Sequence, residues 1–331
     1  MTDINNLLLS TLRDCQGDTL FVADENCLDM PFQNIGDNVR LVTNRFDIAT
    51  QATAEHVTTG FSDFDFSACR AESLDSVVYR ISKEKAVVHH IANCAASALK
   101  HGGTFWLFGG KQEGIKTFAK TIANLLGAPP NIRKEGQYYL VRLTKATLAP
   151  DPLDDRQYRE LRQIFSFNAL PVVSKPGLFG WDKIDKGSEL LANYLPDFFS
   201  NATFANPPSL LDLGCGYGYI SLMAHQLRQF TVTATDNCAA AIAACRENFV
   251  IHQIQGEVIA DDCASDIDKG FDFILCNPPF HQGFQQEQQL TDKFLTNSRR
   301  LLNNGGRALF VVNQFVPLDS LAVPLFKKVD V

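Results

Sequence analysis

Short apolar runs alternate with amphipathic segments along the second half of the chain. The runs "SLLDL", "FTVTAT", "GEVIA", "FDFILC" and "RALFVV" have the length and the β-branched and aromatic content of buried strands. Between them, apolar positions recur at helical spacing up to about Leu227, over residues 238–249 and over residues 286–302, where "NNGG" ends the pattern. Strands that alternate with helices predict a doubly wound α/β sheet.

The first half repeats part of this pattern. The stretch "DSVVYRISKEK" from Asp75 aligns with "DFILCNPPFHQ" from Asp272, and "ALKHGGTFWLFGG" from Ala98 aligns with "LLNNGGRALFVVN" from Leu301. Each stretch pair predicts a strand, a polar turn, a helix, a double glycine and an aromatic-rich strand, which indicates an internal duplication. The periodicity breaks at "LAPDPLDD", so we predict two domains, residues 1–150 and 151–331.

The two copies differ in their loops. Where the second copy has "NPPF", the first has Tyr79, Arg80, Ile81 and Ser82. Where the second has a glycine turn, the first has "LFVADENCLDMP", which contains no glycine. We therefore expect the first domain to be a degenerate copy that keeps the scaffold, and the second to carry the chemistry.

The glycine turn "LLDLGCGYGY" predicts a cofactor site. Gly214, Gly216 and Gly218 permit positive φ and the close approach of a ligand, and Asp212 precedes them. In an open α/β sheet, such a turn at the carboxyl end of a strand marks a ligand site. Asp236, which ends the next strand, is placed to hold both hydroxyls of a ribose.

Two cofactors compete for this turn. A dinucleotide fingerprint has the spacing G-x-G-x-x-G and brings a pyrophosphate to a helix amino terminus, whereas the spacing here is G-x-G-x-G. The Asp212 carboxylate would repel a phosphate and attract a cation. S-adenosylmethionine carries a sulfonium, an amino group and no phosphate, so we predict this cofactor over NAD and over an empty turn. Asp262 is predicted to accept a hydrogen bond from the adenine amino group, with Asp261 as the alternative.

The strand "FDFILC" delivers Asn277, Pro278 and Phe280 to its carboxyl end, beside the predicted cofactor. An exocyclic amine is a poor nucleophile, and its two N–H groups need acceptors that turn the lone pair toward a methyl donor. The Asn277 side-chain carbonyl and the Pro278 backbone carbonyl can supply both, on a loop that proline makes rigid. Phe280 can stack on a planar base. A strand that merely ends at two prolines is the simpler alternative, and His281 is left out of the catalytic set.

Composition limits the class of protein. The chain has 331 residues, 45% of them hydrophobic and 20% charged, as in soluble globular proteins. No apolar run approaches the ~20 residues that span a bilayer, and the amino terminus lacks the basic segment and cleavage site of a signal peptide. Nine cysteines without a C-x-x-C pair indicate reduced thiols. We expect a cytoplasmic, monomeric protein with no membrane association and no metal.

The residues described above resemble the bacterial ribosomal RNA small subunit methyltransferase C family. The segments "PGLFGWDKIDKGSELL", "LLDLGCGYGYIS", "TATDNCAAAIAACREN" and "CNPPFHQG" carry the resemblance, which is strong from Pro176 to Phe315 and faint before residue 150. It implies a fold of two tandem Rossmann-like methyltransferase domains, the first without cofactor motifs. It also implies methylation of the exocyclic N2 amine of a guanine in 16S rRNA with S-adenosylmethionine, so rRNA or the small ribosomal subunit is the expected partner.

The resemblance also assigns roles to residues. The cofactor role falls on Gly214, Gly216, Asp236 and Asp262, and the amine-binding role falls on Asn277, Pro278 and Phe280. Asp185, Gly187 and Ser188 match a family stretch that lies over the cofactor, so Gly187 and Ser188 join the predicted cofactor-binding set. Asp262 stands where a relative has asparagine. The family pattern also continues with a strand hairpin beyond "LFKKVDV", so the chain is either truncated or completes its sheet edge differently.

Three other functions stay open at this point. The Asn-Pro-Pro-aromatic motif also serves methyltransferases that act on a large-subunit rRNA guanine, on DNA adenine or on a glutamine side chain. A non-catalytic RNA-binding or assembly factor on the same fold is a second alternative, which suits the first domain better than the second. An oxidoreductase is the third, and the glycine spacing speaks against it.

Charge is distributed unevenly along the chain. The net charge is -7, but residues 1–75 carry -9, residues 76–150 carry +8 and residues 151–331 carry -6. Lysine and arginine side chains bind nucleic acid by neutralising phosphates without reading sequence. We therefore expect the basic segment to help dock rRNA, through Arg80, Lys83, Lys85, Lys111 and Lys116. The alternative is that the first domain only stabilises the second.

Overall fold

The computed structural model divides the chain into two units, Met1–Glu160 (unit 1) and Leu161–Val331 (unit 2). It describes residues 3–28, 30–149, 151–200, 204, 207–278 and 284–331, without the side chains of 284–288. Among the residues described, no helix is both long enough and apolar enough to cross a membrane.

Unit 1 is built on a seven-stranded sheet. The strand order is β3-β2-β1-β4-β5-β7-β6, in which β1 to β5 are parallel and the hairpin β6–β7 is antiparallel. Its elements are α1 (Ile4–Asp14), β1 (Thr19–Ala23), β2 (Val39–Thr43), α2 (Phe46–Ala54), β3 (Thr58–Phe61), β4 (Leu74–Arg80), α3 (Lys85–Ala98), β5 (Leu99–Gly110), α4 (Ile115–Leu126), β6 (Asn131–Glu135) and β7 (Tyr138–Thr144).

Helix α4 illustrates how the sequence determines these elements. Its buried positions include Ile115, Phe118, Ala119 and Ile122, the i, i+3, i+4, i+7 spacing of a helix with one apolar face. The helix ends at Gly127, which has φ +73°, and a Cβ there would lie 2.1 Å from the Thr147 carbonyl oxygen. Only glycine fits this end, so the helix stops where the sequence places one.

Unit 2 contains a five-stranded parallel sheet of order β12-β11-β10-β13-β14 and a separate antiparallel hairpin, β8–β9. Its strand β13, which lies between β10 and β14, is buried at every position. The elements are β8 (Arg162–Phe167), β9 (Leu170–Ser174), α5 (Lys186–Phe199), β10 (Ser209–Leu213), α6 (Tyr219–Leu227), β11 (Thr231–Asp236), α7 (Ala239–Ile251), β12 (Gly256–Ala260), β13 (Phe271–Cys276), α8 (Phe284–Leu301), β14 (Leu302–Phe310) and α9 (Leu318–Ala322).

The division between the units lies after residue 160, whereas the sequence predicts it after residue 150. The intervening segment packs into unit 1. Tyr158 is buried, stacks on His90 at 4.6 Å and donates a hydrogen bond to Asp63 at 2.6 Å. The segment that follows the predicted break therefore belongs to unit 1, and the change of unit comes ten residues later than predicted.

The two sheets have equivalent contacts at the starts of their strands. Asp75 accepts a hydrogen bond from the backbone N–H of Asp18, and Asp272 accepts one from Ser209, both at 2.9 Å. Lys100 binds the Asp75 carboxylate as Asn303 binds that of Asp272. The β4–β5 and β13–β14 pairs have the same register shift, and Gly102 and Gly305 have φ of +80° and +78°. The alignment of Asp75 with Asp272 is thus present in three dimensions.

The same register corrects the comparison of the two loops by one residue and agrees with the alignment of Asp75 with Asp272. Tyr79 pairs with Leu107 in β5, as Cys276 pairs with Phe310 in β14. Arg80, rather than Tyr79, therefore occupies the position of Asn277. The start of β14 also differs from the prediction, because the strand begins at Leu302 and passes through the double glycine by means of the shift.

Candidate active site

The glycine turn between β10 and α6 has three residues in the left-handed region. Gly214, Gly216 and Gly218 have φ of +78°, +55° and +87°. A Cβ on Gly218 would lie 2.9 Å from the Cys245 sulfur, so packing against α7 requires glycine there. A Cβ on Gly216 would meet no atom within 4 Å. The turn therefore packs against α7 at Gly218. At Gly216 its backbone is uncovered, which leaves room for a ligand.

Asp236 holds this turn in place. One carboxylate oxygen accepts a hydrogen bond from the Gly216 N–H at 2.9 Å, and the other accepts from the Cys238 N–H at 2.8 Å. The acid predicted to bind ribose thus lies directly beside the open glycine. Its hydrogen bonds join the carboxyl ends of β10 and β11, which are neighbours in the sheet.

Asp212 is buried beneath the turn. Its Oδ2 accepts hydrogen bonds from the Ser221 N–H at 3.0 Å and from the Ser221 hydroxyl at 2.6 Å, and so ties β10 to α6. Its Oδ1 is buried and has no hydrogen-bond partner in the described part of the chain. Burial raises the pKa of Asp212 to about 6, although the Ser221 hydrogen bonds oppose the shift. One oxygen of this carboxylate therefore stays uncompensated beneath the turn.

The two acids after β12 have different surroundings. Asp261 is buried and accepts hydrogen bonds from the backbone N–H groups of Ser265 and Asp266, at 2.7 and 3.2 Å. Asp262 is partly exposed and forms an ion pair with Lys293 of α8. Asp261 therefore shapes the loop. Asp262 keeps the more accessible carboxylate, but a ligand would have to share it with Lys293.

Asn277, directly after β13, has a fixed side-chain orientation. Its Nδ2 donates to Asp185 Oδ2 at 2.9 Å and to the Ser188 hydroxyl at 2.8 Å. A carboxylate only accepts hydrogen bonds, so the amino group of the amide must face Asp185 and the carbonyl must face away. Asp185 caps the amino terminus of α5 by accepting from the Ser188 N–H at 2.9 Å. The cap and the amide together fix the direction of Asn277 Oδ1.

Gly187 makes this arrangement possible. A Cβ at residue 187 would approach Asn277 Oδ1 and Asp185 Oδ2 to 3.1 Å each. The stretch from residue 185 to 188 thus touches the predicted catalytic amide, a contact that the sequence patterns do not predict. Pro278 is buried next to Asn277. Phe280 and His281 lie outside the residues that the structure describes.

The predicted RNA-docking residues divide into two groups. Arg80 is only 5% exposed and forms an ion pair with Glu113 at 2.5 Å, so it cannot present its charge to a phosphate. Its place in the docking set is wrong, because a residue at the end of a central strand points into the unit. The other four are exposed: Lys83, Lys85, Lys111 and Lys116.

The ion pair of Arg80 fills the position that corresponds to the catalytic loop in unit 2. Glu113 accepts from Arg80 with one oxygen and from the Gly110 N–H with the other. At the positions of Asp212 and Gly214 in the matching strand, β1 has Phe21 and Ala23, both fully buried. Unit 1 therefore lacks the groups from which unit 2 builds its site.

Comparison with known proteins places this geometry in a family. Residues 169–331 match the Methyltransferase small domain family, and residues 7–134 match the Methyltransferase small domain N-terminal family. A Pseudomonas fluorescens protein named ribosomal RNA small subunit methyltransferase C is 30% identical over 273 residues, which cover 82% of this chain and 79% of that protein. The chain belongs to the ribosomal RNA small subunit methyltransferase C family.

Further relatives agree with this membership. A Yersinia pseudotuberculosis protein of the same name is 29% identical over 312 residues, 91% of this chain and 83% of that protein. The solved structure of the T. thermophilus 16S rRNA N2 G1207 methyltransferase (RsmC), in complex with AdoMet and guanosine, matches with a TM-score of 0.81. That match covers 98% of this chain and 86% of the other at 23% identity, and it confirms the predicted fold of two methyltransferase-type domains.

Proposed function

We propose that this chain transfers the methyl group of S-adenosylmethionine to the exocyclic N2 amine of a guanine in 16S rRNA. Membership of the family supports the reaction class, and its T. thermophilus relative is named for that reaction and was solved with AdoMet and guanosine. The observation that carries the proposal is the fixed orientation of Asn277, whose carbonyl oxygen is left to accept a hydrogen bond from an amine.

The glycine turn fits S-adenosylmethionine. The space above Gly216 admits a ligand against the backbone, and Asp236 beside it can accept hydrogen bonds from ribose hydroxyls. The buried, unpartnered Oδ1 of Asp212 favours a cationic group over a phosphate. Gly187, Ser188, Asp261 and Asp262 complete the set that we propose for cofactor binding, with Asp262 facing adenine. When bound, the cofactor supplies an electrophilic methyl group on a sulfonium.

Apart from binding the cofactor, the protein catalyses the reaction by positioning the target amine. Asn277 Oδ1 accepts one of its N–H groups and the Pro278 carbonyl accepts the other, so the nitrogen lone pair points away from both. Asp185 acts as a positioning residue, because it holds the Asn277 amide without touching the base, and Ser188 holds the same amide in addition to its proposed contact with the cofactor. Phe280 provides the stacking surface in this scheme. A strong general base is unnecessary, since the methylated amine is acidic and loses its proton to water.

The test of this proposal is methyl transfer from labelled S-adenosylmethionine, followed by nucleoside analysis. Naked 16S rRNA, free small subunits and assembled ribosomes serve as three substrates, and N2-methylguanosine in one of them is the expected product. Asn277→Ala should abolish transfer while calorimetry shows nearly unchanged cofactor affinity. Wild-type turnover in Asn277→Ala, or a different methylated nucleoside, would refute the assignment.

We further propose that unit 1 helps to dock the rRNA through Lys83, Lys85, Lys111 and Lys116. Lys83 follows β4 and Lys111 follows β5, which are adjacent parallel strands, while Lys85 and Lys116 lie in the first turns of α3 and α4. Cations at helix amino termini oppose the helix dipole, so helix stability does not account for them. Four exposed lysines at one sheet edge instead form a surface that suits phosphates.

A variant with these four lysines changed to glutamine tests the docking role. The expected result is weaker RNA binding and a shallower slope of log affinity against log salt, by up to ~0.9 per lost duplex phosphate contact. Changing Lys327 and Lys328 to glutamine provides a control elsewhere on the chain. Unchanged affinity and slope in a folded four-lysine variant would leave unit 1 with a supporting role only.

The working form that we propose is a cytoplasmic monomer without membrane association. The residues of the proposed methyl-transfer site all belong to unit 2 of one chain, so the scheme needs no second copy. Light scattering of the protein under the conditions of the methyl-transfer assay should give the mass of one chain, 36.7 kDa. A dimer that loses activity on dissociation would contradict this.

A further inference from the structure

Unit 1 has a second basic surface, in a cleft of about 670 Å³. The cleft lies at the amino-terminal edge of the sheet and extends over β5, β7 and β6. Six of its lining residues carry the argument, and we name it the Trp106 cleft after the aromatic one: Trp106, Arg142, Asn131, Arg133, Lys100 and His101.

Strand register brings three of these side chains into one row. Trp106 of β5 pairs with Arg142 of β7, and Arg142 pairs with Asn131 of β6. The Arg142 guanidinium lies over the Trp106 ring, 5.4 Å from its centroid. Arg133, two residues after Asn131, projects from the same face of β6. The row presents a planar cation, supported from behind by an aromatic ring, between an amide and a second arginine.

The charges of the cleft suit a ligand with a phosphate. Asp75 and Asp14 also line it, but Asp75 is neutralised by Lys100 at 2.8 Å. Arg133 pairs with Glu135 at 2.7 Å and stays 62% exposed. Among the described residues, Arg142 forms no ion pair with a carboxylate, and its guanidinium packs on the tryptophan ring. A guanidinium plane of this kind stacks on nucleobases, and nearby cations bind the attached phosphate.

We infer that the Trp106 cleft binds an unpaired nucleotide of the RNA. Its base stacks on Arg142, the Asn131 amide meets the base edge, and Arg133 and His101 contact the flanking phosphates. The inference rests on the proposed function, because that function supplies an RNA substrate. The inference deepens the proposed function, because it adds a contact through which the enzyme selects RNA with an unpaired base.

The cleft is separate from the lysine surface described above. Lys83 and Lys111 follow the carboxyl ends of β4 and β5, whereas Lys100 and Asp75 lie at the starts of the same strands. The seven residues of β4 span about 20 Å. A folded RNA of ordinary size can reach both edges, so one substrate can occupy the two surfaces together.

Tryptophan fluorescence gives a direct test. The chain has two tryptophans, and Trp181→Phe leaves Trp106 as the sole reporter. In this background, a single-stranded octaribonucleotide of mixed sequence should quench Trp106 emission as it binds. Arg142→Ala should weaken binding roughly tenfold through the lost stacking. Arg142→Lys should keep the salt dependence but lose most of the affinity, because a lysine has no plane to stack on.

Two adjacent residues of β6 provide the matched control. Arg133→Ala and Lys134→Ala each remove one exposed positive charge, but consecutive strand residues point to opposite faces, and only Arg133 lines the cleft. Arg133→Ala should weaken binding and lower the salt slope by about 0.7, and Lys134→Ala should change neither by as much. Circular dichroism without RNA checks that each variant is folded.

Three results would overturn the inference. The first is bound, labelled RNA that leaves Trp106 emission unchanged. The second is an equal effect of Arg133→Ala and Lys134→Ala, which would assign binding to net charge. The third is equal quenching by a duplex of the same length. None of these measurements uses S-adenosylmethionine, so absence of methyl transfer would refute the proposed function and leave the test of the cleft intact.

Discussion

Asp212→Asn should stabilise the protein without cofactor and weaken its binding of S-adenosylmethionine. The folded protein keeps this carboxylate buried, with one oxygen bonded to Ser221 and the other without a partner among the described residues. At neutral pH the group is ionised in both folded and unfolded chains, and only the folded chain has to hold the charge away from water. Asparagine keeps the shape and the Ser221 hydrogen bonds and removes that charge.

The magnitude follows from the pKa. Burial raises the pKa of Asp212 from 3.8 to about 6, a difference of about two pH units. Each unit corresponds to about 1.4 kcal/mol, so ionised Asp212 costs the folded state on the order of 3 kcal/mol at pH 7. Because the folded pKa is the higher one, the cost is absent below about pH 4, grows as pH rises to about 6 and is constant above. The advantage of Asp212→Asn should follow the same course.

Urea unfolding of the full chain measures this effect in unit 2 alone. Trp106→Phe leaves Trp181, which belongs to unit 2, as the only tryptophan. In this background, Asp212→Asn should raise the free energy of unfolding by up to about 3 kcal/mol at pH 7.5 and by little at pH 4. Asp292→Asn, which removes an exposed charge from the same unit, should show no such dependence.

Calorimetry with S-adenosylmethionine completes the experiment. We expect Asp212→Asn to lose at least tenfold in affinity, because the charge that destabilises the folded state is the one that attracts the cationic ligand. A variant that is no more stable than wild type at pH 7.5, or whose gain does not vary with pH, would refute the account of burial. Unchanged cofactor affinity would refute the cofactor role of Asp212 alone.

Three further predictions concern single contacts. Gly218→Ala should lower the melting temperature more than Gly216→Ala, because both positive φ values strain alanine but only the Cβ at 218 also meets the Cys245 sulfur at 2.9 Å, and Gly216→Ala should in addition weaken cofactor binding; equal melting temperatures would contradict this. Asp185→Asn should reduce kcat and leave cofactor affinity intact, since an amide can misorient Asn277, whereas Ser188→Ala should lower both kcat and cofactor affinity; a loss of kcat alone would remove Ser188 from the cofactor-binding set. Glu113→Ala should destabilise unit 1 by roughly 3 kcal/mol in urea unfolding by leaving Arg80 buried and unpaired, and adding Arg80→Met should restore most of that loss.

The sequence predicts the sheet of unit 2 well because its signals are local. Strands β10, β12 and β13 have the predicted bounds, since an apolar run between turn residues leaves little choice. The alignment of Asp75 with Asp272 is also correct, because each carboxylate accepts a hydrogen bond from the backbone at the start of the adjacent strand. The hairpin β8–β9 is missing from the prediction, as its strands are half-exposed and carry no clear alternation.

Contacts between residues far apart in the chain could not be predicted in the same way. The basic balance of residues 76–150 predicts Arg80 as a docking residue, but its partner Glu113 lies 33 residues away. The ion pair of Asp262 with Lys293 joins residues 31 positions apart. The hydrogen bond between Asp185 and Asn277 joins residues 92 positions apart. No periodicity reports such distances. The resemblance to the family pointed to residues 185–188, but it assigned them to the cofactor rather than to Asn277.

Asp75 in unit 1 and Asp272 in unit 2 each hold a neighbouring strand, and this contact has a consequence for how the fold can change in evolution. In both units it lies at the starts of the strands, while the groups that differ between the units lie at the strand ends. The contacts that hold neighbouring strands together at their starts are thus separate from the site groups at the strand ends, so replacing a site group does not break those contacts. A duplicated copy can lose its activity and stay foldable. By the same logic, the loops after β1, β4 and β5 of unit 1 are places where an engineer could install a new binding specificity by loop exchange alone.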